Sequence, residues 1–104
     1  MVTEENAEAE LARRREKTVL RLEKKIGLTL FRYIVGERRE KTEKGDERVY
    51  SVYVEYKSEK QHTCSFVPAL CHDRERAFAF CRGLAKALVT PLSLPFIYED
   101  TLTP

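Results

Sequence analysis

Two segments rich in β-branched and aromatic residues, 28–35 and 49–56, flank the polar turn Glu43-Lys44-Gly45-Asp46. The pattern predicts one long β-hairpin from Leu28 to Tyr56, and the rest of the chain has to arrange itself around that frame. Side chains alternate between the two faces of a strand. Leu28, Leu30, Arg32 and Ile34 therefore share one face of the first strand, while Phe31, Tyr33 and Val35 share the other. On the second strand Tyr50, Val52, Val54 and Tyr56 form the set expected to face the core, with Val49, Ser51, Tyr53 and Glu55 opposite. Residues 36–48 are polar, so either the connection exceeds a two-residue turn or the strands run on into solvent as a ribbon.

Around this hairpin the sequence predicts four further elements. Good helix formers dominate from Ala9 to Lys25, and Leu11, Thr18, Leu22 and Ile26 recur at helical spacing, so a helix ending at Gly27 is expected. Gln61–Val67 alternates as a third strand, which Pro68 is expected to stop. Asp73 is an N-cap for a helix over 74–89, on which Ala77, Phe80, Cys81, Leu84 and Leu88 form a stripe wide enough to cover one sheet face. Pro91 and Pro95 end that helix, and a short helix over 95–102 is expected to pack Phe96, Ile97 and Leu102 on the body. The fold class is α+β: a three-stranded antiparallel sheet packed by a C-terminal amphipathic helix, with an N-terminal helix beside it.

At 104 residues the chain supports one core, placed at 11–104, with the polar residues 1–10 expected to be disordered. Residues 1–48 hold 13 of the 19 Lys/Arg and 11 of the 17 Asp/Glu, so the charge is dense but mixed and the net value is only +2. Such a balance disfavours a polyanionic partner. No run of 18 apolar residues occurs and residues 1–30 lack a signal-peptide core, so no membrane partner and a cytoplasmic location are expected. Three cysteines at irregular spacing agree with a reducing compartment.

Four zinc-ligand side chains, His62, Cys64, Cys71 and His72, fall within eleven residues. Their spacing lacks the usual two-to-four-residue gap, and the neighbours Cys71 and His72 would diverge on regular backbone, so core cysteines and surface histidines are the favoured reading. Helix amides would stabilise a thiolate at Cys71, two residues before the N-cap, but adjacency of His72 alone does not deliver the geometry of a base, and neither a flanking motif nor a partner carboxylate is evident. Glu99 and Asp100 are adjacent and would point apart on a helix. Arg13-Arg14-Arg15, with Lys17, Arg21, Lys24 and Lys25, forms a basic stretch interrupted by Glu10, Glu16 and Glu23, best read as an ion-paired solvent face. No catalytic, cofactor or metal site is assigned.

The closing residues Val89, Thr90, Pro91, Leu94, Ile97, Glu99, Asp100 and Leu102, with looser agreement in residues 50–56, resemble a family of small uncharacterised bacterial proteins, chiefly from Firmicutes. The resemblance covers roughly residues 28–103 and implies the hairpin-and-helix fold, with no site to carry over. In that family Thr-Pro opens a continuous final helix, whereas here Pro95 interrupts it.

A sheet apolar on both faces with one dependable helix leaves the second face to be covered. The expected cover is the N-terminal helix or a second copy, over the candidate surface Leu30, Ile34, Val49 and Tyr53. The expected function is a non-enzymatic interaction module that forms a homodimer through its sheet face or edge. The alternative is a nucleic-acid adaptor using the basic stretch with Phe31, Tyr33 and Tyr53 as stacking faces.

Overall fold

The computed structural model describes residues 2–3, 6–95 and 97. In chain order the elements are β1 (Val2–Thr3), α1 (Ala7–Arg13), β2 (Lys17–Ile26), β3 (Thr29–Thr42), β4 (Gly45–Lys57), β5 (His62–Cys71) and α2 (Arg74–Lys86). The strands form one antiparallel sheet in the order β1-β5-β4-β3-β2. The α+β class holds, but the sheet has four long strands instead of three, with the two-residue β1 added at one margin.

The hairpin is as long as its sequence implies. β3 and β4 pair from Leu30↔Lys57 to Thr42↔Gly45, which leaves Glu43-Lys44 as a two-residue connection and residues 39–46 as an exposed ribbon. Thr42 closes the turn, its hydroxyl donating to the Gly45 carbonyl at 3.0 Å and accepting from the Lys44 N–H at 3.2 Å.

The helix expected over 9–25 is overturned beyond Arg13. α1 starts at the N-cap Asn6, inside the stretch read as disordered, and Ala7 is fully buried. It ends where Arg15 turns left-handed at φ 56. The Arg15 N–H bonds the Ala12 carbonyl and the Glu16 N–H bonds the Leu11 carbonyl, the paired closure of a Schellman motif. Residues 17–26 then pair with β3, placing Leu20 opposite Val35 and Leu22 opposite Tyr33 on the α2 side. Leu22 and Ile26 fit a period of two as well as one near 3.6, and the cross-strand partners decide between them. Gly27, at φ 62, opens the two-residue turn into β3.

Pro68 does not stop β5. The register passes from Val52↔Val67 to Tyr50↔Cys71, so the extra residues bulge out, with Ala69 at φ 51 and its N–H donating to the Ser51 hydroxyl at 3.0 Å. A bulge lets proline sit in a strand without a ladder bond.

α2 carries the predicted cap, the Asp73 carboxylate accepting from the Glu75 N–H at 2.9 Å. It covers the predicted face: Tyr33, Val35, Val52 and Val54 pack against Cys81 and Leu84. The helix is shorter than expected, because Leu88 adopts φ 53 and closes a second Schellman motif. Beyond it Leu94 is buried and Ile97 packs on the same core, while Phe96 and Leu102 of the predicted last helix lie outside the described residues. The Tyr33 hydroxyl donates to the Val89 carbonyl at 2.9 Å and ties this exit to the sheet.

Candidate functional site

α1 covers the opposite face of the sheet. Ala7 and Leu11 close a second core with Ile34, Tyr53, Cys64 and Phe66, so this face is apolar at its centre. Among the candidate surface residues Ile34 and Val49 are 1% exposed and Tyr53 0%, with Leu30 half-buried. Of the two covers expected from the sequence, the chain's own N-terminal helix is the one present over Ile34 and Tyr53.

Beside this core lies a polar layer that sequence reasoning missed. Glu10, Glu16 and Glu55 are all buried. Glu16 follows the end of α1 and reaches into the sheet, where its carboxylate accepts from the Tyr53 hydroxyl and from the Ser51 hydroxyl at 2.6 Å. Burial, and then the hydrogen bond to Glu16, push the Tyr53 phenol far above its ordinary range. Arg14 lies 3.4 Å from the same carboxylate, with its guanidinium over the Phe66 ring.

Glu55 is the hub of a second network. One carboxylate oxygen accepts from Arg32 at 2.9 Å, and the other meets the Ala7 N–H at 3.0 Å and His62 Nε2 at 2.6 Å. Arg32 continues to Glu23 at 3.0 Å, Glu23 to Arg21 at 3.1 Å, and Arg21 to Glu8 of α1 at 3.3 Å. Alternating charge thus crosses β5, β4, β3 and β2 and returns to the helix. The inward partner in this chain was visible as Glu55 on the same strand face as Val49 and Tyr53, a carboxylate that needed donors once that face was buried.

The other sequence candidates stand apart. His62 and Cys64 lie near one end of β5 and Cys71 with His72 at the other, His62 opposite Lys57 and Cys71 opposite Tyr50, so the ends are about 20 Å apart at a strand's rise per residue. Among the described residues no group of three or more ligand side chains comes together. Cys71 donates to the Asp73 carbonyl at 3.2 Å, and His72 Nδ1 meets the Arg48 carbonyl at 3.1 Å. Burial raises the Cys64 thiol to about 12, with the Glu55 charge adding to it, which is the reverse of what a nucleophile needs. Glu99 and Asp100 lie outside the described residues.

The basic stretch is divided between two elements. Arg13 pairs with Glu10 at 2.7 Å, Arg14 with Glu16 and Arg21 with two glutamates. Tyr33 and Tyr53, two of the three stacking faces named for the nucleic-acid reading, are buried, and half-buried Phe31 meets Tyr56 edge-on at 5.3 Å. Among the described residues no helix is long and apolar enough to cross a membrane.

No curated protein and no solved structure matches the chain. A family model does match, and it spans β2 to β5, α2 and the closing residues that carried the sequence resemblance. The chain belongs to a family of unknown function (DUF6514), which it matches over residues 13–104.

Proposed function

We propose that this protein is a non-enzymatic interaction module that pairs with a second copy through the β2 edge of its sheet. The supporting observation is that β2, ten residues long, has a strand neighbour on one side only. An unpaired edge is a template for another strand. The sheet face is a poorer candidate, because Ile34 and Tyr53 are already buried beneath α1.

The charges along β2 favour a two-fold arrangement. In an antiparallel register centred on Leu22, Arg21 of each copy stands opposite Glu23 of the other. Lys17, Lys24 and Lys25, the residue type that guards edges, lie toward the ends of the strand, and residues 18–23 contain no lysine. The buried carboxylates support a holding role over a catalytic one, since Glu16 and Glu55 spend their oxygens on internal donors.

Sedimentation velocity from about 1 to about 100 µM tests the reading, a range in which weak interfaces assemble. The expected result is a dimer that Glu23→Arg disperses by setting like charges across the two-fold. A single monomeric species throughout would rule the pairing out.

A further inference from the structure

The three exposed large hydrophobic side chains among the described residues are Ile26 at 53%, Leu28 at 72% and Leu92 at 70%. They come from two distant segments and gather at one end of the sheet. Ile26 and Leu28 flank Gly27 at the tip of the β2–β3 turn. Leu28 borders a groove of about 480 Å³ with Leu30, Lys57 and Ser58, and Leu92 borders another of about 270 Å³ with Tyr56, Gln61 and Thr63, all at the end where β4 turns into β5.

The charges of the described segments at this end are equally one-sided. Residues 24–31 and 56–63, which form the tip and the adjoining turn, carry Lys24, Lys25, Lys57 and Lys60 against the single acid Glu59, and no arginine. None of these four lysines belongs to an ion pair among the described residues, whereas Arg13, Arg14, Arg21, Arg32, Arg38 and Arg74 all do.

We propose that this end of the sheet docks on an anionic lipid surface, with Ile26 and Leu28 entering the boundary between headgroups and acyl chains while the lysines meet lipid phosphates. Protruding apolar residues on a turn suit a soft plane that parts around them. Exposed ammonium groups close to an anionic leaflet are each attracted by about 1 kcal/mol, or about fivefold in binding. The composition gave no hint of this, because net charge averages the lysine-rich end against the mixed remainder. The inference goes beyond pairing through β2 and requires one copy only.

Co-sedimentation of the full chain with vesicles of equimolar phosphatidylcholine and phosphatidylglycerol, against phosphatidylcholine alone, is the test. Binding to the anionic vesicles is expected, weakened about fivefold for each lysine removed in Lys24→Gln and Lys57→Gln. Lys41→Gln and Lys44→Gln, in the exposed ribbon at the other end, should leave binding unchanged. The chain contains no tryptophan, so Leu28→Trp supplies a direct probe, and its emission should shift to the blue on anionic vesicles alone. These positions are exposed, and circular dichroism of each variant verifies its fold. Absence of binding, an unshifted Trp signal, or a short RNA held as tightly as the vesicles through the same lysines would overturn the proposal.

Discussion

Leu11 of α1 lies directly over Gly36 of β3, so close that a Cβ built at position 36 would stand 2.6 Å from its Cδ2 and 3.2 Å from the Cβ of Glu16. The bare backbone at Gly36 is therefore what lets the first helix and its exit settle on the sheet, bringing the Glu16 carboxylate within reach of Ser51 and Tyr53. Gly36→Ala should cost about 1–3 kcal/mol through overpacking. For a chain of this size each kcal/mol lowers Tm by about 4–8 °C. Thermal unfolding checks this, and a variant as stable as the parent would show that the helix rides freely over β3.

Glu55 accepts from three donors on three different elements, which makes it the anchor of the α1 N-terminus as well as of the charge chain. Glu55→Gln removes the charge that Arg32 and His62 face, and charge-assisted bonds of this kind are worth about 1.5–3 kcal/mol each. A loss of about 2–4 kcal/mol in urea unfolding is expected on that scale. Glu23→Gln, in the solvent-exposed part of the same chain, should change stability by less than about 1 kcal/mol. Equal effects from the two substitutions would contradict the ranking by burial.

Much of the frame is readable from residues alone. The two faces of the long hairpin follow from alternation, and Asp73 with the Ala77–Cys81–Leu84 stripe fixes α2 and the face that it covers. The misreading of residues 17–26 has a physical cause. Helix ends are recognised by glycine in the left-handed position, and here both such positions hold other residues, Arg15 and Leu88. Gly27, the glycine that was visible, closes a hairpin turn instead of a helix. With the end at Arg13 hidden, nothing local distinguished a continued helix from a strand whose partners lie across β3. The polar layer was partly hidden for a related reason: Glu10 and Glu16 read as surface charge until α1 is laid over the sheet, whereas Glu55 already stood on the face that needed a cover.

Those two left-handed residues carry a cost that glycine would relieve. Arg15 is exposed and makes no ion pair among the described residues, so its side chain contributes little to offset the conformation at φ 56. Arg15→Gly should stabilise the protein by about 0.5–1 kcal/mol, the penalty of a left-handed side-chain residue less the added flexibility of the unfolded chain. Leu88→Gly should gain less, because Leu88 is half-buried and packing is lost with its side chain. Denaturant midpoints of the two variants provide the comparison. A destabilised Arg15→Gly protein would mean that Arg15 holds its helix end by a contact of its own.

The thiols give a prediction in pH. Burial raises both Cys64 and Cys81 to about 12, with the Glu55 charge adding to the first, while unfolded cysteine titrates near about 8.5. A group raised in this way contributes stability that is fully present below its unfolded pKa and lost as pH rises through the folded value. Between about pH 8.5 and 12 the unfolded chain releases thiol protons that the native state retains, so stability should fall by up to about 1.4 kcal/mol per pH unit for each thiol. Tyr33, also raised to about 12 by burial, steepens the fall above about pH 10. Urea unfolding at pH 7.5 and pH 10 measures the slope, and Cys81→Ala should reduce it by about half, since one of two thiols remains. Native-state alkylation supplies an independent readout. Half-buried Cys71 should react first, and Cys64 and Cys81 only at the rate of unfolding. Modification of Cys64 as fast as Cys71 in the folded protein would show that α1 does not seal its face of the sheet.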